Sequence, residues 1–215
     1  MTKEQLEKAW PEVEQRLQMA DILLFHTKND PLRKHIRRTT DSYWNHAAIV
    51  FIPKSEMPVG GPLIVEAETT GIEVHQFKKY SDHFDHYDVG VLRYPNLTKE
   101  QRLKFVTSFV LNHIDVPYDY PRLFIFGLRS FITPWSPRFF LWLMKRFTNE
   151  KRFLCSTFVH KTFHELREHK DFELESSYVE HGDKNLQKEE LHTPGDLARG
   201  KVFEWVFNKR DKDTK

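Results

Sequence analysis

An α+β domain built on an antiparallel sheet is predicted for this chain of 215 residues. Short apolar segments with strand character follow one another through the first half of the sequence. Helical patterns and irregular polar stretches dominate the second half. Runs of strands followed by helices are typical of α+β domains rather than of alternating βαβ units. The length suits one domain, so we take residues 1–215 as a single unit.

The composition supports a folded core and excludes several classes of protein. Hydrophobic residues make up 39% of the chain, charged residues 30% and aromatic residues 14%, with a net charge of only +2. A charge so close to balance gives no case for nucleic acid binding. The single cysteine fits a reducing compartment. The first ten residues mix both signs and resemble no signal peptide, and no apolar run is long enough to span a membrane, so a cytoplasmic location is expected.

The first predicted element is a helix over residues 1–19. Thr2 suits its N-cap, and Leu6 and Trp10 begin an apolar stripe. Pro11 lies inside this pattern and predicts a kink or a division of the helix. The strands that follow alternate with turns and loops. They are predicted at Asp21–Phe25, Trp44–Ile52, Leu63–Ala67, Gly71–Phe77 and Val89–Tyr94.

The second half begins with a helix that Thr98 caps and that runs to about His113. Its periodicity points four apolar residues inward: Leu103, Val106, Phe109 and Val110. A further helix begins near Cys155, and a last strand is predicted at Val202–Phe207. The polar stretch between these two elements, 172–192, is predicted to be irregular.

Cys155 is the only cysteine, and it lies at the predicted start of a helix whose apolar face includes Phe158 and Phe163. Free N–H groups and the positive end of the helix dipole favour a thiolate at such a position. A free cysteine can equally be a packed core residue. Nucleophilic catalysis additionally needs a base, and His46, in the strand-like segment N-H-A-A-I-V, supplies a candidate. A buried core histidine is the alternative interpretation of His46.

Six short segments occur in a distinctive order. They are A-D-I-L-L-F (Ala20–Phe25), N-H-A-A-I-V (Asn45–Val50), I-V-E-A (Ile64–Ala67), V-P-Y-D-Y (116–120), F-L-C-S-T-F-V (153–159) and T-P-G-D-L-A (Thr193–Ala198). This order resembles the circularly permuted papain-like amidases of the NlpC-type cysteine hydrolase superfamily, to which lecithin–retinol acyltransferase-like proteins are related. In the permuted group the histidine strand precedes the cysteine helix, as it does here.

The resemblance implies a circularly permuted papain-like (NlpC-type) fold, with an antiparallel sheet or partial barrel packed against helices. It implies that Cys155 is the nucleophile, that His46 is the base and that Glu66 orients the imidazole. A carboxylate on a strand beside the histidine strand could fix the ring tautomer. One departure from the family pattern is Ala20, which stands where the family has glycine.

Other polar residues are candidates for the same site. The resemblance places Tyr118 beside the thiol, and we include Asn45 and Ser156 as candidate substrate-binding residues. Three rivals to Glu66 as the third catalytic residue remain open: Glu68, Glu73 and His75.

No metal or other cofactor is predicted. The pairs His83/His86 and His160/His164 have spacings seen in metal sites, but no second cysteine or third ligand accompanies them along the chain. With only 8 glycines, the chain also carries no glycine-rich phosphate loop.

An aromatic and basic insertion, 121–150, separates Tyr118 from Cys155. Its segment 121–147 holds eight aromatic and five basic residues and no acidic one. Prolines divide it, so we expect two short amphipathic helices that form one wall of the substrate cleft and make peripheral membrane contact. Alternatively, the rings cover the core while the arginines extend outward.

The sequence therefore predicts a cysteine hydrolase, an amidase that works through an acyl-enzyme on Cys155. A thiol acyltransferase or lipid hydrolase on the same fold is one alternative. A non-catalytic lipid- or peptide-binding module is another. The expected partner is a small amide, peptide-like or lipid-like substrate, with no nucleic acid. The sequence carries no signal for a particular oligomeric state.

Overall fold

The computed structural model describes residues 2–28, 42–57, 59–95, 97–114, 116–127, 154–166 and 192–208, together with 136, 138–139, 142–143 and 146. Its strands are β1 (Ile22–Thr27), β2 (His46–Ile52), β3 (Leu63–Glu68), β4 (Gly71–Gln76), β5 (Tyr87–Arg93) and β6 (Glu204–Asn208). Its principal helices are α1 (Lys3–Arg16), α2 (Lys78–Ser81), α3 (Lys99–His113), α4 (Tyr120–Gly127), α5 (Cys155–Leu166) and α6 (Pro194–Arg199).

The six strands form one open sheet in the order β4-β3-β2-β1-β5-β6. Every neighbouring pair is antiparallel. The α+β class with an antiparallel sheet is confirmed, and within the described strands the sheet is open rather than a partial barrel. Because β2 and β3 are adjacent, residues far apart in sequence, such as Ala48 and Glu66, lie directly opposite each other.

Helices cover both faces of the sheet, because alternate residues of each strand point to opposite sides. One core cluster joins Ile22, Ala47, Ile49 and Val65 of the sheet to residues of α3, α5 and α6. The other cluster joins Leu23, Ala48, Val50 and Ile64 to α1 and to the segment around α2. The sheet is thus buried on both faces.

Helix α1 begins as the sequence predicted but is not divided. Thr2 caps it through a capping box with Gln5, and Leu6 and Trp10 are buried. Pro11 lies within the helix, which continues to Arg16, so the predicted division at Pro11 is wrong. Packing of the apolar stripe against the sheet outweighs the loss of one backbone hydrogen bond.

Helix α3 differs from the prediction in which residue it buries near its start. Val106 and Val110 are buried as expected, but Leu103 is 53% exposed; the side chain of Phe109 lies outside the described residues. Arg102 is buried instead, and its guanidinium donates hydrogen bonds to the carbonyl oxygens of Met19 and Tyr94, each at 2.9 Å. These bonds satisfy the charged group and turn the helix so that the adjacent leucine faces outward.

The chain enters β1 through Ala20, whose φ of +69° lies in the left-handed region that favours glycine. Glycine at this position in the family pattern is therefore explained by backbone conformation. The next residue, Asp21, is fully buried and accepts hydrogen bonds from Arg93 at 2.8 and 2.7 Å. This ion pair ties the start of β1 to the end of β5.

Candidate active site

The sheet brings His46 and Glu66 into direct contact. His46 is the first residue of β2, and Glu66 lies in β3, the adjacent strand. The Nε2 atom of His46 and the Oε2 atom of Glu66 are 2.5 Å apart, and both side chains are buried. Antiparallel pairing thus places a carboxylate against an imidazole across 20 positions of sequence.

Cys155 reaches the same imidazole from the helical layer. It is the first residue of α5, it is buried, and its side chain is hydrogen-bonded to His46. Because Nε2 of His46 contacts Glu66, Nδ1 is the nitrogen left for the thiol. Cys155, His46 and Glu66 therefore form a continuous buried chain of contacts.

The position of Cys155 follows from how α5 packs. Phe158, Val159 and Phe163 form its apolar face and are buried in the cluster that contains Ala47 and Ile49 of β2. The amide of Phe158 donates to the carbonyl oxygen of Leu154, which closes the first helical turn. The packed face fixes the rotation of α5, and its first turn then presents the thiol at the end of the sheet where β2 begins.

Two residues that the sequence did not reveal hold Glu66 in place. Tyr80 is buried and donates its hydroxyl hydrogen to Oε2 of Glu66 at 2.6 Å. The Nζ atom of Lys79 lies 3.1 Å from Oε1 of Glu66 and 2.5 Å from Oε1 of Glu68. The ring of Tyr80 stacks on Phe25 with centroids 3.9 Å apart, which restrains the hydroxyl. Both residues belong to α2, a four-residue helix with too little periodicity for its orientation to be predicted.

The electrostatics of the site favour a charged imidazole. Burial alone would lower the pKa of His46, but the charge and hydrogen bond of Cys155, together with Glu66, outweigh burial and raise this pKa to about 9. Burial alone would raise the pKa of Glu66, but His46, Lys79 and Tyr80 outweigh it and lower this pKa to about 2. Near neutral pH the geometry thus favours an imidazolium that faces a carboxylate on one side and the sulfur on the other.

The predicted substrate-binding residues occupy three different environments. Tyr118 is partly buried and packs against the cluster that contains Cys155. The side-chain amide of Asn45 is paired with the backbone of Thr27, accepting at 3.2 Å and donating at 3.3 Å. Ser156 donates to the carbonyl oxygen of His192 at 2.7 Å. Asn45 and Ser156 thus have structural partners, and their contact with substrate, like that of Tyr118, stays a prediction.

Glu68, Glu73 and His75, the other candidates for the third catalytic residue, lie beside Glu66 and contact one another. The Nε2 atom of His75 is 3.1 Å from Oε2 of Glu73, 3.8 Å from Oε2 of Glu68 and 4.0 Å from Oε1 of Glu66. Among these acidic residues, Glu66 is the one hydrogen-bonded to His46 in the described structure. The geometry therefore favours Glu66 as the group that orients the imidazole.

Most of the predicted insertion, 121–150, lies outside the described residues, so its role as a cleft wall stays a prediction. Its first part, α4, contains buried Ile125 and exposed Phe124, and the hydroxyl of Tyr120 donates to the carbonyl oxygen of Thr69 at 2.7 Å. Farther along, the rings of Phe139 and Trp142 stack and are about half exposed. None of the helices in the described ranges has the length and apolarity that crossing a bilayer requires.

The model for the permuted papain-like amidase family YaeF/YiiX, known as the C92 family, matches residues 16–124, which is half of the chain. The protein belongs to this family. The match includes His46 and Glu66, and the permuted papain-like fold predicted from the order of motifs is confirmed. Membership supports a cysteine hydrolase of the amidase or peptidase type.

A solved structure extends the similarity in fold over most of the chain. It is that of YiiX from Escherichia coli O157:H7, described as a metalloprotein, with a TM-score of 0.56 and 17% sequence identity. The similarity covers 89% of this chain and 97% of YiiX. No curated protein matches the sequence.

Proposed function

We propose that the protein is a cysteine amidase that cleaves its substrate through an acyl-enzyme on Cys155. The observation that carries this proposal is the buried chain of contacts from Cys155 through His46 to Glu66. A thiol, an imidazole in hydrogen-bond contact with it and a carboxylate that fixes the imidazole are the parts that nucleophilic acyl transfer requires. Membership in an amidase family supports the same reaction class.

In the first half-reaction the sulfur of Cys155 attacks the amide carbonyl carbon, and the C–N bond then breaks. His46, in its imidazolium form, gives its proton to the departing nitrogen, so the amine leaves neutral. Negative charge on the carbonyl oxygen is stabilised by backbone N–H groups at the start of α5. The product that stays behind is a thioester of Cys155.

In the second half-reaction His46 acts as a base. It takes a proton from water, the hydroxide attacks the thioester carbonyl, and the thiolate leaves as the acid is released. An alcohol or amine in place of water would make the protein an acyltransferase instead. Glu66 keeps the imidazole oriented through both steps, because its carboxylate is held by Tyr80 and Lys79.

Trapping of the acyl-enzyme tests this proposal. We expect a short-chain p-nitrophenyl ester to acylate the protein on Cys155, with release of nitrophenol and a mass increase of one acyl group in intact-mass spectrometry. Hydroxylamine should remove the group, because thioesters react readily with it. Adding alcohols and amines at turnover then distinguishes hydrolysis from transfer: formation of a new ester or amide identifies an acyltransferase.

The matched control is Cys155→Ser, which changes one atom of the proposed nucleophile and leaves α5 intact. This variant should acquire no acyl group over the same period. Equal acylation of the variant and the parent would show that the reaction does not need the thiol of Cys155 and would contradict the proposal. A parent protein that stays unmodified would favour the non-catalytic binding module.

Exposed aromatic side chains favour a lipid-like substrate and peripheral membrane contact as a second candidate. Phe124 is 69% exposed, Trp142 56% and Phe139 49%. Phe139 and Trp142 stack on each other, and exposed rings in contact are unusual on a fully hydrated surface and typical of interfacial segments. The basic residues of 121–147 would add attraction to anionic lipids. A cytoplasmic location is compatible with this proposal and stays a prediction.

Vesicle binding tests the membrane proposal. We expect the protein to co-sediment with vesicles of phosphatidylcholine and phosphatidylserine more strongly than with phosphatidylcholine alone. Trp142→Ala should weaken binding by about tenfold or more, because a large ring leaves the interface. Val59→Ala, a change at an exposed apolar residue outside the insertion, is the control and should have no effect. Absence of binding to both kinds of vesicle would contradict the proposal.

The description of YiiX as a metalloprotein raises a metal ion as a further group. The described residues contain a donor set of suitable chemistry, because the buried Nε2 atom of His75 has no hydrogen-bond partner and lies beside two carboxylates. Glu68, Glu73 and His75 would hold the ion, which would act there as a Lewis acid or a structural centre. The acyl-transfer steps above use side chains of the protein alone.

A further inference from the structure

Glu68, Glu73 and His75 form a cluster of potential metal ligands beside the contact between His46 and Glu66. Glu68 ends β3, whereas Glu73 and His75 lie two positions apart on β4, the edge strand of the sheet. Because Glu66 pairs with Glu73 across the two strands, alternation puts all of these polar residues on one face. Paired strands hold the cluster, so its spacing is set by the rigid sheet rather than by a loop.

The distances suit one shared ion. The Nε2 atom of His75 lies 3.1 Å from Oε2 of Glu73 and 3.8 Å from Oε2 of Glu68. One donor atom from each of the three residues lies within 4.8 Å of the others. Ligand atoms bound to the same zinc ion at about 2.1 Å are separated by roughly 3.0–3.5 Å. Small side-chain rotations would therefore bring the three donors to coordination distance.

The second observation is the state of the His75 imidazole. Its Nε2 atom is buried and has no hydrogen-bond partner among the described residues, although the carboxylate of Glu73 is only 3.1 Å away. The two groups are close without being aligned for a hydrogen bond. A buried polar atom in a native structure is normally satisfied by protein, water or an ion. The side chain of His75 is 27% exposed, so an ion from solvent could reach this nitrogen and the neighbouring carboxylates together.

A second possible donor set, His46 with Glu66 and Glu68, is a weaker candidate. His46 and Glu66 are hydrogen-bonded to each other, and Tyr80 and Lys79 donate further hydrogen bonds to the carboxylate of Glu66. Lys79 also contacts Oε1 of Glu68, which leaves Oε2 of that carboxylate for the cluster with His75. These hydrogen bonds occupy His46 and Glu66, so Glu68, Glu73 and His75 are the donor set that remains for a metal ion.

We propose that Glu68, Glu73 and His75 bind one divalent transition-metal ion, with zinc as the best-suited probe. Two carboxylates and one neutral imidazole neutralise the charge of the ion, and three protein ligands leave a position for water. The imidazole nitrogen selects zinc or a neighbouring transition metal over magnesium and calcium, which prefer oxygen. This site is independent of the proposed chemistry at Cys155.

Zinc titration by isothermal calorimetry tests the site in the full-length chain. The host is the chelator-treated Cys155→Ser variant, because a free thiolate would itself bind zinc. Since this host cannot carry out the proposed acyl transfer, the result does not depend on that function. We expect a site for one zinc ion per chain. Glu73→Gln should weaken it by at least about tenfold, as should His75→Ala, whereas magnesium should give no comparable binding.

The exposed pair His83 and His86 supplies the matched control, because other surface histidines also attract zinc. The double change His83→Ala and His86→Ala should leave the affinity of the site unchanged. Glu73→Gln preserves shape at a partly exposed position, so it can be interpreted even if His75→Ala unfolds; circular dichroism checks both. Absence of zinc binding to the host, or zinc affinity unaffected by Glu73→Gln, would overturn the proposal and leave the cluster as an ion-pair network.

Discussion

Replacing His46 by alanine is expected to lower turnover by about 10³-fold and to slow alkylation of Cys155 at neutral pH. The imidazole contacts the sulfur directly, and its charged form stabilises a thiolate. Removal of the ring therefore removes the proton carrier of both half-reactions and the positive charge beside the nucleophile. Few single substitutions in this chain should have a larger effect on activity.

Alkylation by iodoacetamide measures this dependence without knowledge of the substrate. Because Cys155 is the only thiol, the rate can be read from the mass of the intact protein. The control is His86→Ala, which removes an imidazole from an exposed position and should leave the rate unchanged. His46→Gln serves as a second variant that retains a polar partner for Glu66. Equal alkylation rates for the parent and both His46 variants would mean that the thiol does not depend on His46.

The elements and the candidate residues of the site could be named from the sequence because each carries a recognisable pattern or motif. Strand and helix patterns reveal which residues are buried, and the order of histidine strand and cysteine helix identifies the permuted arrangement. Cys155 could be singled out because the sequence has no other thiol. Glu66 could be proposed but not chosen over Glu68, because both occupy the same face of β3 and only the register against β2 separates them.

Other features could not be predicted because they depend on contacts between distant segments. The hydroxyl of Tyr80 reaches Glu66 through the packing of α2 on the sheet, and no motif marks that residue. Leu103 was expected to be buried, but the buried guanidinium of Arg102 sets the rotation of α3 instead. A metal site leaves a signature in a sequence when its donors lie at helical or short-loop spacings along the chain.

The donors found in the structure come from two paired strands. Glu68 and His75 are seven positions apart, and the β3–β4 turn folds them together. Spacings of this kind carry no metal signature, since the distance between the residues depends on the hairpin register. The pair His83/His86 has a spacing seen in metal sites, but it belongs to neither candidate donor set among the described residues.

Replacing Glu66 by glutamine is expected to lower turnover on the order of 10²-fold and to change the pH dependence of stability. The amide can no longer hold the imidazolium, and it can present an N–H group where the ring needs an acceptor. In the parent the pKa of Glu66 falls from 4.5 to about 2, so its contribution to stability is present above 4.5 and is lost as the pH falls towards 2. The pKa of His46 rises from 6.5 to about 9, so its contribution is present below 6.5 and is lost as the pH rises towards 9.

Both contributions are largest between pH 4.5 and 6.5, where the two side chains are mostly charged in the folded and unfolded states alike. We therefore expect Glu66→Gln to reduce the free energy of unfolding by about 1.5–3 kcal/mol in this window, and by less near pH 9. Urea unfolding of the parent and of Glu66→Gln, once within this window and once near pH 9, measures the difference. Tyr80→Phe is the matched comparison, because it removes the hydroxyl contact and leaves the carboxylate; it should cost about 1 kcal/mol with a weaker dependence on pH. A destabilisation by Glu66→Gln that is the same at both pH values would show that the carboxylate acts by packing, without an ionic interaction with His46.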